Sequence, residues 1–295
     1  MIVYRVGPEW SATVAQIEEN LDGGRFVECG STQEKSVGWI EPRGEANGPL
    51  VESVGGQLIL KLMIETRSLP GSVVTRKVKG RVAQIEATTG RKPGKKEIRD
   101  IKDDIRLDLL PMAFTKQTSI GIWIDPKARL LVIDAASQAR TDDVVTMLVK
   151  SLPGLAVTLL NTQMSPTAAM SEWLISQEAP AGFSVDRECE LKAADESKAV
   201  VRYARHPLDT AEVRAYVESG KLPTRLALTW RDRVSLVLTE ALQLKKLAFL
   251  DVVFEGATAG QDDGFDSDTA IATGELRKLL PELLKALGGE LPVAG

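Results

Sequence analysis

The chain has one histidine, His206, and two cysteines, Cys29 and Cys189, among 295 residues. Most acid–base and zinc schemes need histidine beside serine, cysteine or further ligands, so a solitary histidine without a partner motif removes them. His206 reads as a surface or core residue. The cysteines lack a CxxC partner and are expected to be small core residues in a reducing compartment, with no disulfide and no metal site. Aromatics make up only 5% of the chain. No apolar run reaches about eighteen residues, and Met1 leads into Ile-Val-Tyr-Arg without the opening of a signal peptide. A cytoplasmic, soluble protein with no membrane partner is the expectation. Internal repeats and low-complexity tracts are absent as well.

What is present is an ordinary globular composition, 43% hydrophobic and 26% charged, with a net charge of −4. That sum alone argues against a uniformly basic surface. Its distribution is uneven. Between Thr75 and Lys102 the bases are Arg76, Lys77, Lys79, Arg81, Arg91, Lys92, Lys95, Lys96, Arg99 and Lys102, against Glu86, Glu97 and Asp100. Ten bases against three acids leave a local excess of +7, so the remainder carries −11. A basic segment on an acidic body suits an anionic partner that touches one surface.

Periodicity predicts a strand at Ile2–Val6, a helix at about Ser11–Leu21 capped by Ser11, and strands at Ser36–Ile40 and Gln57–Glu65. Val74, Val78, Val82 and Ile85 predict a helix over Pro70–Thr89, which the Gly90–Gly94 stretch breaks. A second helix over Lys95–Leu110 carries Ile98, Ile101, Ile105 and Leu109 on one stripe and Lys95, Arg99, Lys102 and Arg106 about 90° away. The two helices form a hairpin about 20 Å long. Strands Ser119–Ile124 and Arg129–Asp134 follow, then a helix over Thr141–Ser151, a strand near Leu155–Leu160 and a helix over Pro166–Ser176. The last third holds strands Phe183–Leu191 and Ala199–Arg205 and a helix beginning at Asp209-Thr-Ala-Glu212. A meander of Thr224–Trp230, Val234–Thr239 and Leu244–Phe249 precedes a helix over Thr269–Leu287.

Three motifs carry other chemistry. Gly90-Arg-Lys-Pro-Gly94-Lys95-Lys96 resembles a phosphate loop but is one residue short between its glycines and lacks the magnesium-binding hydroxyl, so it reads as a basic turn. The acidic run Asp262–Asp268 misses the calcium-loop spacing, and Asp266, Ser267 or Asp268 is expected to cap the last helix. Asp186 with Glu190 and Lys192 matches the E-x-K half of a magnesium-dependent nuclease site, which supplies an enzymatic alternative. For the basic hairpin, scarce aromatics disfavour stacking on unpaired bases, and contacts to a duplex backbone fit better. A solvated helix edge, or docking on an acidic protein in a protein-interaction module, are the other readings.

Val37-Gly-Trp-Ile-Glu-Pro42, Leu109-Leu-Pro-Met-Ala-Phe114, Trp123-Ile-Asp125, Glu172-Trp-Leu174, Ala227-Leu-Thr-Trp230, Leu244-Lys-Lys-Leu-Ala-Phe249 and Thr273-Gly-Glu-Leu276 stand in the order and spacing of the recombination-associated RdgC family, which the chain resembles from about Ile2 to Glu290. The resemblance implies a non-catalytic, nucleoid-associated homodimer, ring-shaped around double-stranded DNA with little sequence preference, which restrains the RecA recombinase by occupying its substrate. It implies no cofactor. Carried over, Phe114 matches an aromatic at the dimer contact, with an ordinary core Phe as the alternative. Arg205 falls where the family places a basic residue facing the hole, and Arg202 is expected to point the same way. The short aromatic and basic lead that often precedes the first strand in the family is missing.

The fold expected is α+β: a central α/β body (1–70 and 115–180), a projecting basic helical tip (71–114) and a C-terminal antiparallel β-rich base with a terminal helix (181–295), forming a ring as a dimer. The candidate DNA contacts are Arg76, Lys77, Arg81, Arg91, Lys92, Lys95, Lys96, Arg99, Lys102, Lys116, Arg202 and Arg205. No catalytic and no metal-ligating residue is assigned.

Overall fold

In the first strand, Val3 and its even-numbered neighbours face opposite ways, as the two-residue period of a strand requires, yet both sets are buried. This fixes the strand at the centre of a layered structure. The computed structural model describes residues 1–135, 137–255 and 264–291. Among these the chain forms seven helices and two antiparallel sheets.

The first sheet contains β1 (Ile2–Val6), β2 (Lys35–Ile40), β3 (Val51–Val54), β4 (Gln57–Ser68), β5 (Phe114–Asp125), β6 (Leu130–Ile133) and β7 (Val157–Leu159). Its order is β2-β4-β5-β6-β1-β7, with β3 pairing the start of β4. On one face Ile2, Tyr4, Leu131 and Ile133 pack with Ile17 and Leu21 of α1 (Val14–Asp22) and Val144 and Leu148 of α4 (Gln138–Ser151). On the other, Val3, Trp123, Leu130 and Val132 join the core of the second sheet.

The second sheet has the order β12-β11-β10-β8-β9. Its strands are β8 (Phe183–Ala193), β9 (Val200–Ala204), β10 (Lys221–Trp230), β11 (Val234–Thr239) and β12 (Leu244–Phe249). One face is covered by α5 (Pro166–Ser176), α6 (Ala211–Glu218) and α7 (Gly264–Ala286), whose Met170, Val213, Leu279 and Leu283 lie in the shared core. Charged contacts pin α7 to both sheets. Arg233 donates to both oxygens of the buried Glu275 at 2.7 and 2.9 Å, and Trp230 Nε1 donates to Glu282. On the first sheet, Arg43 pairs with Asp266, and Arg277 Nε lies 2.9 Å from the fully buried Asp125 in an ion pair without hydrogen-bond geometry.

Several boundaries differ from the sequence reading, each for a local reason. Thr13, not Ser11, caps α1, because Thr13 and Gln16 complete a reciprocal capping box. Thr210 rather than Asp209 caps α6. Helix α7 starts at Gly264, which places Asp266, Ser267 and Asp268 inside it, so none of the three is its cap. Asp262 and Asp263 lie outside the described residues. The short strand β3 was not foreseen. It forms a hairpin with β4 through Gly55 and Gly56, whose φ values of 57° and 78° are those a two-residue turn of this type demands.

One glycine is under a tight steric constraint. Phe26 and Trp39 are hydrogen-bonded along the outer edge of β2, and a Cβ at Gly38 would sit 2.4 Å from the Phe26 Cα. Backbone, not a flexible side-chain end, occupies that space. Gly38→Ala is expected to destabilise the fold by about 1–3 kcal/mol, the range for overpacking, read as a lower urea midpoint at unchanged slope. An unchanged midpoint would mean the Arg25–Phe26 segment yields freely.

Candidate nucleic-acid interface

Helices α2 (Gly71–Thr89) and α3 (Lys95–Leu109) are joined by a turn in which Gly90 takes φ 68°. Each has only one fully buried residue, Val74 and Leu109. Val78, Val82 and Ile85 of α2 and Ile98, Ile101 and Ile105 of α3 are half-buried, and among the described elements α2 packs chiefly on α3. The apolar stripes are thus consumed in holding the pair together, and the remaining helix surface faces solvent. At 1.5 Å per residue α2 runs about 28 Å and α3 about 22 Å.

On α3 Lys95, Arg99, Lys102 and Arg106 follow one edge, Glu97, Asp100, Asp104 and Asp108 follow the other side of the helix at 100° per residue, and Lys96 and Asp103 lie between them. Arg76, Lys77 and Arg81 on α2 and Lys92, Lys95, Lys96, Arg99 and Lys102 are all exposed. Among the described residues none of these eight forms an ion pair, and Arg81 donates to Gln84. Arg91 is different. It grips Glu97 through two bonds of 2.8 and 3.1 Å, and this hydrogen bonding holds the Glu97 carboxyl below its usual range. Arg106 reaches Glu34 at the foot of the hairpin. The N-cap of α3 is Gly94, which has no capping side chain, and the positive end of that helix lies beside Lys92, Lys95 and Lys96 and beside the first-turn Glu97, whose carboxylate bonds the Gly94 backbone.

Lys116 stands at the foot of the hairpin, exposed on β5 opposite Thr66. Around it β5 pairs β4 along its length but meets β6 only from Ile122 onward. The outer edge of Phe114–Ile120 therefore has no partner strand among the described residues. Phe114 is 89% exposed, with Met112 at 70% and Leu107 at 57% nearby in the chain. The core alternative for Phe114 is thereby excluded within one chain.

Arg202 and Arg205 belong to the second sheet, on different elements from the hairpin. They do not share a face. An offset of three is odd in a strand of period two, β9 ends at Ala204, and Arg205 has φ 57°. Arg202 donates to Glu190 at 2.6 Å across the strand pair and is not a free cation. Arg205 lines a cleft of about 520 Å³ together with Arg187, Lys246, Asp186 and Glu188, where Lys246 bonds Glu188. Arg187 was missed in the sequence because its neighbourhood is made by the end of strand pairing, which has no local signature.

Asp186, Glu190 and Lys192 all lie on β8, and both carboxylates are engaged by other side chains. The Asp186 carboxylate accepts from Thr229, and that of Glu190 is held by Arg202 and Thr224, with its pKa lowered chiefly by the Arg202 bond. Among the described residues no three His, Cys, Asp or Glu side chains gather as a metal site. His206 sits against Tyr203 and bonds the Pro207 carbonyl. Cys189 is buried, and desolvation pushes its thiol up to about 12. No helix of the described residues is long and apolar enough to cross a membrane.

A family model described as "Putative exonuclease, RdgC" matches residues 1–290. Curated relatives named "Recombination-associated protein RdgC" match nearly end to end. That of Dechloromonas aromatica is 45% identical over 295 residues, covering 98% of this chain and 96% of the relative. That of Cupriavidus pinatubonensis is 44% identical over 291 residues, covering 98% and 97%, and that of Bordetella pertussis has the same figures. The relatives' name states no reaction.

Proposed function

The chain belongs to the RdgC family, and from that premise we propose that it binds double-stranded DNA through phosphate contacts, without reading sequence and without catalysis. It acts as a homodimer that closes into a ring on the duplex, in the nucleoid, and restrains RecA by occupying its DNA. The α2–α3 hairpin serves as a projecting basic tip, the first sheet as the body and the second sheet with α7 as the base.

The observation that carries this reading is the set of eight exposed lysines and arginines of the α2–α3 hairpin that form no ion pair among the described residues, on a chain of net −4. Like charges held together cost stability until a counter-charge arrives. Phosphates supply it. Lys77, Arg81, Lys95, Arg99, Lys102 and Arg205 are the principal contacts, with Arg76, Lys92, Lys96 and Lys116 flanking them. Arg91 and Arg202 contribute only if phosphate displaces Glu97 and Glu190. The exposed Phe114 and the open edge of β5 support its assignment to the contact between copies.

A salt titration of duplex binding tests the reading. Six phosphate contacts imply a log–log slope of about −5, at roughly −0.9 each. An affinity that hardly changes between low and moderate salt would remove it. Encirclement further requires weaker loading on closed circular than on linear duplex of equal length. The description of the matching family as an exonuclease is met by incubating plasmid and linear duplex with magnesium: nicking or end degradation that purifies with the chain would replace the binding reading by the nuclease one.

A further inference from the structure

We propose that the cleft beside the first half of β8 is a docking groove for an extended peptide segment in which apolar and basic side chains alternate. The inference does not rest on the DNA reading. β8 is flanked by β10 from Phe183 to Ala193, but β9 covers it only from Glu188 to Lys192, and the last bond runs from the His206 N–H to the Arg187 carbonyl. From Phe183 to Asp186 the outer edge has no strand beside it among the described residues. The Phe183 N–H is itself satisfied by Pro180, and Ser184 bonds toward β10, which leaves the Phe183 carbonyl and the backbone groups of Val185 to a partner.

Along that edge lies a cleft of about 580 Å³. Its far wall is the C-terminal end of α5, and its end is closed by the loop before α6. Trp173, Leu174, Phe183 and Leu208 line it and are each less than 9% exposed. A free strand edge, a helix opposite and an apolar floor between them are the elements by which an extended chain is added to a sheet. The ladder bonds give affinity, and alternate side chains enter the recess. Four residues of edge span about 13 Å, room for a segment of four or five residues.

The charge of the groove selects among occupants. Asp186 and Asp209 line it, with Arg187 the one cation among its described lining residues, so a lysine or arginine beside each apolar residue is favoured over an acidic segment. This places the groove apart from the basic hairpin in chemistry as well as in sequence.

The probe is a fluorescein-labelled octapeptide of alternating valine and lysine, titrated into the full chain, with the valine–glutamate octapeptide as comparison. The lysine peptide is expected to bind saturably, at least about tenfold tighter than the glutamate peptide, and to slow hydrogen exchange at the amides of Val185 and Arg187. Asp209→Lys, at an exposed position, should reverse the preference while leaving duplex affinity unchanged. No saturable binding below about 1 mM, equal affinity for the two peptides, or protection falling on α2 and α3 would overturn the proposal. Protection of the β8 amides by duplex DNA itself would assign the groove to the nucleic-acid surface instead. Duplex binding is measured separately, so either reading can fail alone.

Discussion

Changing Lys95, Arg99 and Lys102 together to glutamate is expected to weaken duplex binding at about 0.15 M salt by at least a hundredfold. The reasoning is that of counterion release. Each phosphate contact contributes roughly 0.9 to the log–log slope, so three lost contacts remove about 2.7, which at 0.15 M salt corresponds to about two decades in affinity. Reversal of sign adds repulsion to that loss. All three residues lie on the exposed basic edge of α3, away from Ile98, Ile101 and Ile105, so the thermal midpoint should change little. Salt-dependent filter binding of wild type and triple variant separates the possibilities. A variant that keeps the wild-type slope would show that these cations are a solvated face and nothing more. Because the contacts carry no base information, the loss should be the same for all duplex sequences. Arg91→Ala, in contrast, should have a far smaller effect, since Glu97 already holds that guanidinium.

The hairpin was legible because its two signals are local. Val78, Val82 and Ile85 and the stripe Ile98, Ile101, Ile105 repeat at helical spacing, and Gly90 and Gly94 punctuate them. α5 was legible for the same reason, whereas β1, β6 and the strands of the β10–β12 meander were legible as short, largely apolar runs bounded by turn residues. The failures fall where period and burial separate. β3 is four residues, Val-Glu-Ser-Val, too short to show alternation. The first half of β5 is largely exposed, so it has no alternation to read, and only its pairing with β4 makes it a strand. Helix α7 was started five residues late because its first turns are acidic and polar and looked like a capping loop.

For the candidate site, the residue types were readable and their partners were not. Glu97 lies six residues from Arg91, Glu190 twelve from Arg202 and Glu34 seventy-two from Arg106. Such pairs are made by turns and strand register, and they decide which cations remain for a ligand. The basic edge Lys95, Arg99, Lys102 and Arg106 of α3, however, follows from the helix period alone and needs no tertiary contact. A net charge of −4 does not by itself oppose such binding, because electrostatic attraction to a polyanion falls off within about 8–10 Å at physiological salt.

Phe114→Asp is expected to raise the dissociation constant of the homodimer by about a hundredfold or more, with the monomer fold intact. A phenylalanine that is 89% exposed in one chain contributes almost nothing to that chain's own core, so removing it should not shift the unfolding midpoint extrapolated to low protein concentration. Burying such a ring at a contact between copies contributes about 1.5–3 kcal/mol, and a carboxylate placed in the same desolvated spot costs more than the ring's loss alone. Met112 and Leu107 would extend the patch, and the unpaired edge of Phe114–Ile120 offers backbone groups beside it. Sedimentation of wild type and variant over a range of concentrations reads the constant directly, and an unchanged value would place the contact elsewhere. The consequence for binding is specific. Phosphate contacts on each copy survive the substitution, so affinity for short linear duplex should fall only by the loss of the second copy's tethered contacts. Retention on closed circular DNA against high-salt challenge should disappear, because a ring that cannot stay shut has nothing topological left to hold it.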